Sequence, residues 1–176
     1  MNKLKIILIA GLFVLTSLLI YYLLGGFRPV EFTVISNISY TIIGKEYVGT
    51  NNTRELKELF DGTKQLLESS FSEATLIIVN DDNKYDDENN QVGYFIGILV
   101  KSVPSSIPEG YAVKEYGPVK VIRARILSHN LVMPKPDNVK RKAAELAESE
   151  SGGLSSISME KYPEEGIIEV DFLLAR

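Results

Sequence analysis

The sequence predicts an α+β fold in which one N-terminal transmembrane helix precedes a single domain of two strand–helix–strand–strand repeats. Three observations predict it: an uncharged apolar run near the N-terminus, strand-like and helix-like segments that follow in the same order twice, and polar turns between them. Such repeats favour a largely antiparallel sheet with both helices on one face. The opposite face is then expected to be available, and the junction between the repeats is expected to form a cleft.

The first predicted element is a membrane anchor. The run Ile6–Leu24 contains no charged residue and approaches the roughly 20 residues that a helix needs to cross a bilayer. A cleaved signal peptide has an apolar core of only about 7–15 residues. This run is longer, and it ends near Tyr22 and Phe27, which are aromatic residues typical of a membrane interface. We therefore predict a retained anchor rather than a signal peptide.

The anchor divides the chain into two parts. We expect residues 1–27 to form the anchor, with residues 6–24 in the lipid bilayer, and residues 28–176 to form the domain. The two repeats are predicted at about 30–101 and 111–176. The domain is long enough for one hydrophobic core but hardly for two, so a single domain is expected.

The first repeat begins with an extended segment at Val30–Gly44, in which Ser36 and Asn37 mark a break or bulge. An amphipathic helix follows, and Asn52 is placed to cap it. Its apolar residues recur at helical spacing: Leu56, Leu59, Phe60, Leu66 and Leu67. Two strands at Thr75–Val79 and Val92–Val100, joined by a polar loop, complete the repeat.

The second repeat has the same order. The extended segment Tyr111–Ile126 is interrupted at Gly117-Pro118, which predicts a bend between two strands rather than one long strand. Pro136 suits the first turn of a helix that ends before a Gly-Gly pair. The strands Leu154–Tyr162 and Ile167–Leu174 then form a hairpin.

Composition excludes several classes of function. There is no cysteine, which removes disulfides, thiolate nucleophiles and Cys-ligated metal sites. His129 is the only histidine, and it lies in a predicted loop without a nucleophile elbow, so a surface histidine is favoured. Setting Lys3 and Lys5 aside leaves 17 of the 19 basic residues against 23 acidic ones, which argues against nucleic acid as a partner. No cofactor or metal is predicted.

Three short motifs carry a resemblance to a known family. They are Pro108–Tyr111 at the start of the second repeat, Glu160–Tyr162 in the last hairpin, and the terminal strand Phe172–Arg176. Together with the repeat order, they resemble the GyrI-like small-molecule-binding domain family. The resemblance implies a pocket for hydrophobic, often cationic ligands with a buried glutamate, which falls on Glu160. Some members of the family are hydrolases and others bind protein partners.

A narrower resemblance concerns the ends of the chain. The N-terminal anchor followed by Glu31, the pair Asp82-Asn83 and the ending Leu174–Arg176 resemble a single-pass membrane ER-phagy receptor. That resemblance implies a long acidic tail with an aromatic-x-x-aliphatic peptide, and this sequence ends at Arg176 without one. Matches such as Tyr40–Ile43 and Tyr116–Val119 lie in predicted strands, where they are poor candidates for strand addition to a partner.

Three residues are predicted to contact a ligand. Ser158, Glu160 and Tyr162 share one face of a strand, which places a carboxylate beside an aromatic ring able to hold a cation. Tyr94 lies in the matching hairpin of the first repeat, where it is expected to line the opposite wall of the cleft. The alternatives are a solvent-facing glutamate at 160 and ordinary sheet packing for Tyr94.

The leading hypothesis is a monomeric, membrane-tethered binding module that recognises a small amphipathic ligand or a protein partner. The alternative is a membrane-tethered hydrolase of hydrophobic electrophiles, with Glu160 as general base and a tyrosine as orienting donor. The expected location is the endoplasmic reticulum membrane in a eukaryote or the inner membrane in a bacterium. Basic residues before the anchor favour a non-cytoplasmic domain, although Arg28 follows the anchor closely.

Overall fold

The computed structural model describes residues 3–51, 53–71, 73–84, 91–150 and 152–175. The predicted helix cap Asn52 and the terminal Arg176 lie outside these residues. In chain order the elements are α1 (Lys3–Leu23), β1 (Glu31–Thr50), α2 (Arg54–Ser70), β2 (Thr75–Asp81), β3 (Gln91–Val100), β4 (Ala112–Ile126), α3 (Pro136–Ser149), β5 (Leu154–Glu164) and β6 (Ile167–Leu174). Short 3-10 turns follow β2 and β4.

The six strands form one antiparallel sheet in the order β1-β3-β2-β5-β6-β4, which closes because β4 also pairs with β1. Each repeat contributes three neighbouring strands, so the two halves are built alike and meet where β2 pairs with β5 and β1 pairs with β4. The predicted antiparallel sheet is confirmed. Its closure was not predicted, because closure depends on pairing between strands that lie far apart in the chain.

Both helices of the domain lie on one face of the sheet, as predicted. The periodic apolar residues of α3, including Val139, Ala143 and Ala147, pack against Ile122 and Phe172 of β4 and β6. The opposite face is not available, and that prediction is wrong. It closes around its own apolar core, formed by Tyr40, Ile42, Ile77, Val79, Phe95, Val121, Met159 and Leu173.

The extended segments differ from the predicted bounds. β1 continues six residues past Gly44 to Thr50 because its last ten residues pair with β3. Asn37 adopts a φ of 60° where the register with β4 shifts, so the predicted break or bulge is a bulge within one continuous strand. β4 is one continuous strand that contains a cis Gly117–Pro118 bond, so the predicted division into two strands is wrong.

A buried network of charged side chains adjoins the closed core through Tyr40. Asp171 is fully buried and accepts hydrogen bonds from Tyr40 at 2.6 Å and from Arg123 at 2.7 and 3.0 Å. Lys161 is also buried, with its Nζ atom 2.8 Å from Asp171 and 3.0 Å from Glu169. Sequence alternation places Lys161 on this face of β5, opposite to Glu160.

The network fixes the protonation of its members. Burial alone raises the pKa of Asp171, but the hydrogen bond from Arg123 and the charge of Lys161 outweigh it, and the pKa lies below its usual range. Burial and the neighbouring Asp171 raise the pKa of Tyr40 above its ordinary value, so its hydroxyl keeps the proton that it donates.

The helix α1 is long and apolar enough to cross a membrane, with a mean hydropathy of 2.5 over Lys5–Leu23. None of that window is buried against the rest of the protein. The helix ends at Leu23, and Gly25 in the turn that follows has a φ of 78°, which suits a residue without Cβ. The carbonyl oxygen of Leu24 accepts a hydrogen bond from the backbone nitrogen of His129 at 2.9 Å, which ties the helix end to the loop after β4.

Candidate functional site

A cleft of about 1360 Å³ lies between α2 and α3 on the helix-bearing face of the sheet. Its floor is mostly apolar and is formed by outward-facing strand residues from both repeats. The aliphatic residues and the phenylalanine among them are Ile78, Val92, Ile96, Ile126, Ile168, Val170 and Phe172. The helices supply the walls, with Leu56 and Phe60 from α2 and Pro136 and Val139 from α3. The predicted cleft at the junction of the repeats is therefore present.

Glu160 lies among the apolar residues that line the cleft. On β5 it pairs with Ile78 of β2 on one side and with Val170 of β6 on the other. Side chains directly opposite each other in an antiparallel sheet lie about 4.5–5.5 Å apart at Cβ. The carboxylate is half-buried rather than fully buried. Because Glu160 lines the cleft and is half-buried, the alternative of a glutamate on an open, solvent-facing strand does not fit its position.

Tyr162 positions the Glu160 carboxylate. Its hydroxyl donates a hydrogen bond to Oε1 of Glu160, two residues earlier on the same face of β5. Burial and the neighbouring carboxylate raise the pKa of Tyr162 above its ordinary value, so the hydroxyl stays protonated and donates. Phe60 of α2 packs edge-on against the Tyr162 ring, with 6.2 Å between the ring centroids. Tyr162 itself is not among the cleft-lining residues.

Tyr94 lines the cleft from β3, in the first repeat. It pairs with Asn80 of β2, which in turn pairs with Ser158 of β5, and all three line the cleft. The Tyr94 hydroxyl donates to the side-chain oxygen of Asn51 at 3.0 Å. The structure therefore brings Glu160 and Tyr94 to one cleft, with Tyr162 behind Glu160. Their contact with a ligand stays a prediction.

The charged groups at the rim were not predicted from the sequence. Lys140 of α3 lies 2.5 Å from Asp82, which begins the 3-10 turn after β2, and both residues line the cleft. No local pattern could have shown this ion pair, because its two residues are 58 positions apart. Glu160 differs from Asp82. Among the residues that the structure describes, Glu160 has a tyrosine partner and forms no ion pair with a basic side chain.

The cleft does not bring Glu160 together with the single histidine. His129 is exposed in the loop after β4, and its Nδ1 atom accepts a hydrogen bond from the backbone nitrogen of Leu131 at 3.2 Å. It is not among the cleft-lining residues. Within the described ranges, no group of three histidine or acidic residues is arranged to hold a metal ion. The chemistry available in the cleft is therefore apolar packing around the Glu160 carboxylate, together with charged side chains that include the ion-paired Asp82 and Lys140.

Solved structures of EcmrR share this fold. The C-terminal domain of EcmrR is 9% identical, with a TM-score of 0.56, and the match covers 84% of this chain and 98% of that chain. EcmrR in its complex with DNA is 12% identical, with a TM-score of 0.58, over 99% of this chain and 70% of that chain. A structure of SAV2435 bound to tetraphenylphosphonium is 14% identical, with a TM-score of 0.46, and the match covers 84% of this chain and 94% of that chain.

The two repeats share the fold of the C-terminal domain of EcmrR, and at these identities the likeness extends to the fold alone. It supports the expected GyrI-like fold. The match to the DNA complex covers nearly the whole chain and thus includes α1. No protein-family model and no curated protein matches the sequence. The narrower resemblance to an ER-phagy receptor receives no support from these structures and stays a prediction.

Proposed function

We propose that this chain is a membrane-anchored GyrI-like binding module whose cleft takes a small amphipathic ligand with a positive charge. The proposal rests on the surroundings of the Glu160 carboxylate. It lines an open, largely apolar cleft, and no basic side chain of the described residues pairs with it. A carboxylate in such surroundings gains most from a cationic group that the protein does not itself supply.

The apolar floor and walls suit the hydrophobic part of such a ligand. A ligand pocket is typically about 300–1,000 Å³ and mostly apolar, with a few polar groups that fix orientation. This cleft is of that kind and somewhat larger, which leaves room for an extended or multi-ring molecule. Phe60 and Tyr94 supply aromatic faces, on which a delocalised cation can rest.

Binding of a lipophilic cation tests the proposal. The full chain is placed in lipid nanodiscs and titrated with rhodamine 6G, with fluorescence anisotropy as the readout and empty nanodiscs as the background. Replacing Glu160 by Gln removes the charge and keeps the shape. We expect affinity to fall about 10–100-fold, since a charged interaction contributes about 1.5–3 kcal/mol and each 1.4 kcal/mol is tenfold.

A matched variant and a neutral dye complete the design. Glu164 lies at the exposed end of the same strand and does not line the cleft, so Glu164→Gln should bind the cation as the unchanged protein does. A neutral dye of similar size should bind equally well to the protein and to Glu160→Gln. Equal cation affinity in Glu160→Gln and the unchanged protein would remove the basis for a charged ligand.

Membrane anchoring is part of the proposal and is supported by the length and exposure of α1. We expect the full chain to stay in the membrane fraction after alkaline carbonate extraction. Protease protection in sealed membranes then reports the side that the domain occupies. The proposed location is the endoplasmic reticulum membrane in a eukaryote and the inner membrane in a bacterium. The mildly acidic composition continues to argue against a nucleic-acid partner.

Hydrolysis is the second candidate, because the Tyr162 hydroxyl donates to the Glu160 carboxylate as an orienting donor would. In this reading Glu160 removes a proton from a water that attacks a hydrophobic ester or epoxide. The test compares product formation from a p-nitrophenyl ester by the full chain and by Glu160→Gln. Turnover that Glu160→Gln abolishes would favour the hydrolase, and equal background rates would favour binding alone.

A further inference from the structure

The loop after β4, residues 127–134, is attached to the end of α1; we name it the juxtamembrane loop. The backbone nitrogen of His129 donates to the Leu24 carbonyl oxygen at 2.9 Å. Arg28 donates from Nη1 to the Leu127 carbonyl oxygen at 3.3 Å. At Gly25 the backbones are so close that an added Cβ would lie 3.0 Å from the Leu127 oxygen. The loop thus begins beside the last turn of the helix.

An exposed apolar side chain stands on this loop. Leu131 is 80% exposed, the highest value among the exposed large apolar residues that the structure describes, α1 included. A hydrogen-bonded turn holds its position. The backbone nitrogen of Leu131 donates to Nδ1 of His129 at 3.2 Å, and the backbone nitrogen of Val132 donates to the carbonyl oxygen of His129 at 2.9 Å. Phe27, next to the end of α1, is 63% exposed as well.

The depth of Leu131 follows from these contacts. If α1 spans the bilayer, its last turn lies at the membrane interface, and a backbone hydrogen bond puts His129 at the same level. Leu131 is two residues further, which is at most about 7 Å along the chain. The apolar faces of interfacial segments insert roughly 5–10 Å into the boundary between headgroups and acyl chains. An exposed leucine at this level is within reach of lipid.

We infer that the juxtamembrane loop is a second membrane contact, in which Leu131 inserts into the lipid interface beside α1. The inference rests on the membrane anchoring proposed above. Ile126, Met133 and Pro134, which flank the 3-10 turn of this loop, line the cleft. Contact with the bilayer at Leu131 therefore fixes the domain with this edge of the cleft at the membrane surface.

Single tryptophan residues test the contact in the full chain. The sequence contains no tryptophan, so one introduced residue is the only indole reporter. Leu131→Trp reports the loop, Leu15→Trp reports the middle of α1, and Val48→Trp is the matched control. Val48 is 63% exposed and lies near the far end of β1, where it pairs with Gly93. Each variant is reconstituted in vesicles of phosphatidylcholine brominated at shallow or deep acyl positions, and far-UV circular dichroism checks its fold.

The expected result is about a twofold loss of Leu131→Trp fluorescence with shallow bromines, and no loss for Val48→Trp. Leu15→Trp should be quenched most by deep bromines. Quenching of Leu15→Trp without quenching of Leu131→Trp would overturn the loop contact and leave the anchor intact. No quenching at either site would overturn the anchoring and the inference with it. Equal quenching of Val48→Trp and Leu131→Trp would mean unspecific adhesion and would also overturn the inference.

Discussion

Replacement of Asp171 by Asn should destabilise the domain by about 3 kcal/mol, because it breaks the buried charged network. Asp171 accepts from Tyr40, from Arg123 and from Lys161, at donor–acceptor distances of 2.6 to 3.0 Å. Asparagine keeps one acceptor oxygen and turns an amide donor toward groups that are themselves donors. Arg123 and Lys161 then share one remaining acid, Glu169, which also lies 4.0 Å from Arg125.

The magnitude follows from the burial of the partners. Removing one member of a buried ion pair costs about 3–5 kcal/mol. We expect the lower end of that range, since Lys161 keeps its 3.0 Å contact with Glu169 and the Arg123 side chain is 21% exposed. For a domain of this size, 3 kcal/mol corresponds to a fall in Tm of roughly 6–12 °C.

The assay is urea unfolding of the full chain in mild detergent, followed by far-UV circular dichroism. The apolar α1 helix stays in the micelle, so the signal change reports the domain. Glu165→Gln, at an exposed turn position, should change the free energy of unfolding by no more than about 0.5 kcal/mol. A cost below about 1 kcal/mol for Asp171→Asn would refute the idea that this network stabilises the closed core.

Four further predictions follow from the same structure. The folded pKa of Asp171 lies below its usual range, so its contribution to stability is complete above the unfolded pKa near 4 and is lost as pH falls through the folded pKa. Urea unfolding at several pH values should therefore show that the difference in free energy of unfolding between the unchanged protein and Asp171→Asn decreases only below about pH 4. Gly62→Ala should raise the free energy of unfolding by about 0.5–1 kcal/mol, since an added Cβ on α2 meets nothing within 4 Å. Gly97→Ala should lower it, because its Cβ would lie 2.3 Å from the Ile43 oxygen. Residues 28–176 alone should elute as a soluble monomer in size-exclusion chromatography, and an aggregated fragment would show that the domain needs α1 to fold or stay soluble.

Local patterns in the sequence predicted most elements of the fold. Periodicity located both helices of the domain, and alternation located the last hairpin within two residues at each strand end. The predicted strand bounds are wrong where strand pairing, rather than the local residue pattern, decides the structure. Pairing with β3 extends β1 over Lys45–Thr50, and β4 continues as one strand past Pro118. The N-cap of α2 is Thr53, whose side chain accepts from the backbone nitrogen of Leu56.

The candidate site was predictable in part. Alternation along β5 placed Glu160 and Tyr162 on one face, and the structure retains that arrangement with a hydrogen bond between them. For Phe60, helical spacing predicts only a place on the apolar face of a helix. Its contact with Tyr162 requires α2 to pack over β5, and such a contact across about one hundred residues has no local signature in the chain.

The sequence by itself determined the apolar N-terminal helix, the repeated order of strands and helices, and the face of each strand on which a side chain lies. These features depend on the spacing of neighbouring residues, which is written directly in the chain. Only the tertiary structure decided that the sheet closes, that Lys161 and Asp171 meet inside it, and that Glu160 lines a cleft without a basic partner among the described residues. Those outcomes depend on which distant strands pair and on what each face then packs against, and both are settled by the free energy of the whole fold.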